Sequence, residues 1–413
     1  MILDPVRTAR QDEIIESWLQ YNGVGTAECV TGFGKTFLAI RAIERKQREN
    51  PWLTTLVVVP TLYLQQQWND RIQAHGLERV VVLVINTLVR STHKVDLLIL
   101  DELHKYTAEV FGQVFDCVDY TTLLGLTATM PEDDDKRFML EEHAPIVDTV
   151  GLEEALKKKW VSAFTIYNMA VKMTPDEVSA HNRLKKDFNR FFAFFGHDFQ
   201  LAMSCLNNSA ASKSWAKEIQ RDEKEVRIYA VQFMRAMRAR KELLYGLQSK
   251  IGMAAAIIER NKSRKVITFS QSIEAADHLA ALVGDSAVVY HSKMKGFGKG
   301  KDRVSAKDAR QVSIDRFRSD DFLTNAMVLS TAKALDMGAD LPEIDMGIVT
   351  SGTSTPVQGL QRYGRTIRYV AGKETIIIEL YAPDTQDERW LRSRQKKVPK
   401  SSIRWIKSIE EIL

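Results

Sequence analysis

Short apolar runs recur near both ends of this chain, and a long stretch between them has almost none; no other feature limits its fold as tightly. In the first block, Leu56–Val59, Val80–Ile85, Leu97–Leu100 and Leu123–Leu126 are brief and rich in Val, Leu and Ile, as strands buried on both faces are. Helical spacing over Lys35–Gln47 and Leu62–Ala74 separates them. Strand, helix and strand in alternation predict a parallel sheet covered on both sides. The pattern returns at Lys265–Phe269, Ala287–Tyr290, Ala326–Leu329, Gly347–Val349 and Thr375–Leu380. From about Thr174 to Arg260 the periodicity is helical instead. Phe191, Phe192, Phe194, Phe195, Met203, Leu206, Phe233, Met234 and Met237 stand among charged residues there, as a helical core or as an aromatic clamp. The expected division is therefore an α/β domain over 1–155, a helical insertion or linker over 156–250, and a second α/β domain over 251–413.

Composition narrows the functional classes only slightly. With 413 residues, 45% hydrophobic and 27% charged, the chain has enough apolar material for two or three cores. A net charge of +5 permits a polyanionic partner without requiring one. Cys29, Cys117 and Cys205 lie far apart, which argues for a reducing compartment and against structural zinc. No signal peptide is read at the start, and no apolar stretch approaches the ~18 residues needed to span a membrane, so the expected location is cytoplasmic.

Chemistry enters at Thr31-Gly32-Phe33-Gly34-Lys35-Thr36. Glycines let backbone N–H groups converge on phosphates, a lysine reaches the β- and γ-phosphates, and a hydroxyl can ligate Mg²⁺. Cys29 stands where the usual phosphate-loop pattern has its first glycine. Downstream, the run Leu97–Leu100 ends in Asp101-Glu102-Leu103-His104. A buried strand ending in two carboxylates suits phosphoryl transfer to water: Asp101 holds the metal through water, and Glu102 polarises the attacking water.

The strings GFGKT, DELH, Thr127-Ala128-Thr129 and Gln361-Arg362-Tyr363-Gly364-Arg365-Thr366-Ile367-Arg368 resemble, in this order, motifs I, II, III and VI of superfamily 2 helicases of the DExH kind. The resemblance covers nearly the whole chain apart from its helical middle. It implies two tandem RecA-like parallel-sheet domains that close on one ATP with Mg²⁺ held by Thr36 and Asp101. By the same resemblance Gln11 reads the adenine, and Gly338 and Asp340 of a motif V-like string meet the nucleotide. Gln361 faces the γ-phosphate, and Arg365 and Arg368 are arginine fingers. Lys35 and Glu102 belong to one half and the arginines to the other, so hydrolysis would require closure.

Nucleic-acid contacts are expected at Pro60 and Thr61 (motif Ia), Thr87 (Ib), Ser270 (IV) and Thr331 (V). The Gly-rich basic segment with Lys293, Lys295, Lys299 and Lys301 would add phosphate contacts. Details such as PTLYLQQQW and the tail YAPDTQDERWLRSRQKK look most like helicases near UvsW and XPB, including compact phage enzymes. That likeness implies a DNA helicase, translocase or branch-migrating remodeller that works as a monomer on single-stranded or branched DNA. An RNA helicase and an ATP-switched DNA-binding subunit of a larger complex are the alternatives.

Overall fold

A computed structural model of the chain describes residues 4–107, 112–296, 304–319, 321, 325–332, 341–356, 359, 362–363 and 374–412. Two parallel sheets organise it. The first contains β1 (Val24–Cys29), β2 (Thr55–Val59), β3 (Val80–Val84), β4 (His93–Asp101), β5 (Val118–Thr127) and β6 (Ile146–Val150), in the order β3-β2-β4-β5-β1-β6. The sequence TLVVV makes β2 buried at every position, because helices cover both faces. Helices Pro5–Gln20, Lys35–Glu49 and Leu62–Ala74 bury Ile14, Trp18, Leu38, Ile43 and Trp68 against the sheet.

The second sheet runs β13-β7-β12-β11-β8-β10-β9. Its strands are β7 (Ala163–Ala170), β8 (Val266–Ser270), β9 (Ala287–His291), β10 (Val328–Ala332), β11 (Met346–Val349), β12 (Glu374–Tyr381) and β13 (Ile403–Ile406). The range 156–250 is thus not helical throughout. β7 lies inside it, and pairs with β12 from Ala163↔Glu374 to Tyr381↔Ala170. The second sheet therefore takes a strand from before the helical segment.

That segment comprises helices Pro175–Ala193, Phe199–Asn207, Ser209–Glu218 and Glu223–Tyr245. Thr174 starts it with a capping box, its hydroxyl accepting the Glu177 N–H and the Glu177 carboxylate accepting the Thr174 N–H. Of the two readings of its phenylalanines, packing favours the core. Phe233 lies 5.3 Å from both Phe188 and Phe192, Phe194 lies 4.0 Å from Tyr229, and Phe195 is fully buried. Phe199 remains exposed. The chain then returns to the second sheet through the helix Gln248–Arg260, whose Ile251, Ala254 and Ile257 join its core.

Candidate active site

β1 ends at Cys29, and the helix Lys35–Glu49 begins six residues later. Between them Gly32 and Gly34 hold φ of +96° and +99°, a region that a side chain at Cβ makes costly. Space is equally tight. A Cβ on Gly32 would lie 3.1 Å from Val161 Cγ1, and one on Gly34 3.1 Å from Gln11 Nε2. No side chain caps the helix, so its first N–H groups and the positive end of its dipole face the loop. Cys29 does not disturb this turn, since it is still a regular residue of β1, paired with Val150. Burial pushes its thiol up to about 12, so the sulfur stays protonated. Lys35 Nζ donates to the Cys29 carbonyl at 3.1 Å, laying the ammonium across the loop.

The acidic pair straddles the end of β4. Asp101 is 6% exposed, and its carboxylate accepts the Trp68 indole N–H at 2.9 Å and the Glu102 N–H at 3.0 Å. Burial and then the charge of Glu102 push Asp101 up to about 6, against the pull of Trp68 and Lys35. Two carboxylates that close, with desolvation already unfavourable, suit a cation. Thr36 at the helix start and Asp101 are the side chains that would hold Mg²⁺, which neutralises phosphate charge when bound. Glu102 takes a left-handed backbone, φ +57°, which turns the chain sharply at the strand end.

His104 connects this turn to the Thr127–Thr129 string. Its Nδ1 lies 3.1 Å from Thr127 Oγ1 and 3.5 Å from Glu102 Oε2. Thr127 donates its hydroxyl proton to the Thr129 carbonyl at 3.0 Å, so its oxygen accepts from His104 and the ring carries its proton on Nδ1. Glu28 of β1 accepts the Met130 N–H at 2.9 Å, tying the same string to the strand that leads into the phosphate loop. Trp68 lies seven residues after Thr61, on the helix that Thr61 caps, and nothing in its sequence spacing pairs it with Asp101.

Gln11 is buried, and its amide approaches the carbonyls of Phe33 at 3.4 Å and Gly34 at 3.5 Å. It therefore sits on the loop that Lys35 and Thr36 close, in which Thr31 is half-buried. Phe33 packs edge-on to Trp160 at 5.1 Å, in the connection that leads into β7. Tyr363, from the QRYGRTIR string, belongs to the same apolar cluster as Phe33 and Trp160. Gln361, Arg365, Arg368, Gly338, Asp340, Lys299 and Lys301 lie outside the described residues.

The expected nucleic-acid contacts divide. Pro60 and Thr61 are half-buried at the end of β2, and Thr61 caps the next helix by accepting the Leu64 N–H at 3.3 Å. Beside them Leu62 is 75% exposed. Thr87 is exposed within the short helix Ile85–Leu88. Lys293 and Lys295 are exposed. Ser270 and Thr331 differ from expectation, being 3% and 1% exposed. As ends of adjacent central strands they turn their hydroxyls inward: Thr331 donates to the Thr268 carbonyl at 2.6 Å, and Ser270 lies 3.3 Å from the Ser351 hydroxyl. In this arrangement they fix the strand ends and are not presented to a bound strand.

Residues 6–87 and 77–132 match the family described as Type III restriction enzyme, res subunit, and residues 249–370 match Helicase conserved C-terminal domain. The chain is 26% identical over 404 residues to DNA 3'-5' translocase XPB2 of Sulfurisphaera tokodaii, covering 94% of this chain and 84% of that protein. Putative ATP-dependent RNA helicase MJ1505 of Methanocaldococcus jannaschii is 26% identical over 146 residues, 35% of this chain and 17% of that protein. ATP-dependent DNA helicase MPH1 of Pyricularia oryzae is 29% identical over 118 residues, 28% and 10% respectively. Among solved structures, the Hef helicase domain of Pyrococcus furiosus aligns with a TM-score of 0.54 at 16% identity, over 94% of this chain and 99% of that one. The DNA-bound Type ISP restriction-modification enzyme LlaBIII aligns at 0.59 and 15% identity, over 99% of this chain and 32% of that one. At such identities the last two likenesses speak for the fold.

Proposed function

We propose that this chain, a superfamily 2 helicase with two RecA-like domains, hydrolyses ATP between them and is a DNA translocase that remodels or unwinds branched DNA. The observation that carries the reading is the apolar cluster shared by Phe33 of the phosphate loop, Trp160 of the connection and Tyr363 of QRYGRTIR. That cluster runs from the first half into the second, which supports a nucleotide site between them.

The chemistry then follows from residue types and positions. Lys35 leaves the Cys29 carbonyl to meet the β- and γ-phosphates, while the helix start and Gly34 N–H supply fixed donors. Gln11 and Thr31 line the nucleotide side of the loop, and Gly338 and Asp340 complete it from the second half. Glu102 orients the attacking water. Its neighbour His104, whose Nδ1 lies 3.5 Å from Glu102 Oε2, carries the consequence of that step to Thr127. Arg365 and Arg368 stabilise charge on the transferring phosphoryl group, with Gln361 against the γ-phosphate. Pro60, Thr61 and Thr87 hold the strand on the first half, and Lys293, Lys295, Lys299 and Lys301 hold it on the second. Closing on ATP and opening after hydrolysis would move one set of contacts past the other.

The DNA preference draws on the likeness to a DNA translocase over most of the chain, and RNA on a shorter likeness. ATP turnover measured with single-stranded, duplex, forked and four-way DNA, and with RNA, tests the choice. Stimulation by forked or four-way DNA is expected. Stimulation by RNA alone sinks the DNA reading, and turnover indifferent to every polymer favours a switched subunit.

A further inference from the structure

The helix Gln386–Arg394 is fixed at both ends by buried ion pairs. At its start, the Asp387 carboxylate takes the Lys250 ammonium at 2.7 Å, with neither side chain more than 1% exposed. At its end, Arg394 clasps Glu379 of β12, donating from Nε at 3.1 and 3.2 Å and from Nη2 at 2.5 Å. The same carboxylate accepts the Tyr363 hydroxyl at 2.6 Å. Burial and the charge of Glu379 raise the Tyr363 phenol well above its ordinary value, so it remains a donor. Arg394 also donates to the Thr353 carbonyl at 3.4 Å, and Arg362 to the Ser351 carbonyl at 3.0 Å. Glycines admit the arginine: a Cβ on Gly352 would stand 3.0 Å from Arg394 Cζ, and one on Gly359 3.0 Å from the Arg394 carbonyl.

Buried ion pairs gain little stability over well-packed apolar residues, because desolvation offsets attraction. What they do supply is direction, since donors and acceptors are held in one mutual geometry. This network ends on the tyrosine two residues after Gln361, two before Arg365 and five before Arg368. Tyr363 also packs in the cluster that holds Phe33 of the phosphate loop. We infer that Tyr363, held by Glu379 and Arg394, is a positioning residue on which the arginine step of QRYGRTIR depends. The inference rests on the reading of Arg365 as a finger. A phenylalanine would fill the same core, so the hydroxyl is the part with this role.

Tyr363→Phe and Glu379→Gln test it, each alone and combined with Arg365→Ala, with nucleotide affinity and thermal unfolding measured alongside. Tyr363→Phe removes only the hydroxyl, and carries the test if Glu379→Gln, which leaves Arg394 buried without its counter-charge, does not fold. The expected result is a fall in kcat of at least ~10-fold with nucleotide Kd changed less than ~2-fold, the pattern of a contribution made in the transition state. In the Arg365→Ala background the same changes should cost almost nothing more, because the group they act through is gone. Wild-type kcat in either single variant, or an equal fold loss with and without Arg365, overturns the inference while leaving the finger reading intact. Wild-type turnover in Arg365→Ala alone removes the finger reading, and this inference with it.

Discussion

Replacing Asp101 by Asn should stabilise the first domain at alkaline pH while ending its chemistry. The carboxyl is buried and pushed up to about 6 from an ordinary 3.8. Each tenfold in proton affinity is worth about 1.4 kcal/mol, so keeping Asp101 ionised costs the fold on the order of 3 kcal/mol. The amide removes that charge but not without loss. Asp101 accepts two N–H groups, from Trp68 and from Glu102, and an amide oxygen can serve only one of them. The N–H left facing the amide NH₂ costs about 1–3 kcal/mol, which leaves a gain of at most about 2 kcal/mol. For a domain of this size that is at most about 4–8 °C in Tm. The sign with pH is fixed by the raised value. Between the unfolded and folded values the native state keeps a proton that the unfolded chain has released. Wild-type stability from this group is therefore greatest below about pH 4, falls as pH rises, and reaches its minimum above about pH 6. The advantage of Asn should be full at pH 8.5 and shrink toward pH 5. Calorimetric unfolding of both proteins without nucleotide, from pH 5 to 8.5, measures it. A difference between the two proteins that does not change with pH refutes the buried-charge argument.

Arg365→Ala should slow turnover by ~10³-fold or more while nucleotide still binds, checked by single-turnover hydrolysis against a binding titration. Gly34→Ala forces a side chain into φ +99° and toward Gln11 Nε2 at 3.1 Å, so nucleotide Kd should rise at least ~10-fold, read by titration with a fluorescent analogue. Neutralising Lys293, Lys295, Lys299 and Lys301 together should weaken DNA binding and flatten its dependence on salt by up to about four phosphate contacts; an unchanged slope would return that segment to ordinary solvated surface.

Strands made of unbroken apolar residues were legible, as β2 and the second half of β4 illustrate. The strand that bears the phosphate loop was not. β1 reads VGTAEC, and its polar residues are tolerated because distant groups satisfy them: Thr26 donates to the Ala144 carbonyl at 2.7 Å, and Glu28 accepts from Met130. β7 escaped for the same reason. Asn168 is buried there by a reciprocal amide pair with Gln395, at 2.9 and 2.8 Å, and Thr165 donates to Glu374 at 2.7 Å. In the site, the loop and acidic pair were readable because phosphate chemistry dictates residue types at fixed local spacing. The Trp68–Asp101 and Tyr363–Glu379–Arg394 contacts join residues with no fixed spacing. Ser270 and Thr331 show the converse limit: a motif marks a position, and only the pairing of β8 with β10 decides which way a hydroxyl faces.

The place of β7 also sets a schedule for synthesis. All six strands of the first sheet have been made by Val150, so that domain can close early. β7 then leaves the ribosome with both of its edges open, since its neighbours β12 and β13 are made long after it. Thr165 waits 209 positions for Glu374. At ordinary rates of synthesis that delay is on the order of 10–40 s. During it the strand AFTIYNMA is a ready template for pairing with another chain. The helical segment made in the interval folds around its own core of phenylalanines. Chains cut short before β12 would keep β7 open permanently, and should be recovered as aggregates in which the first domain is folded.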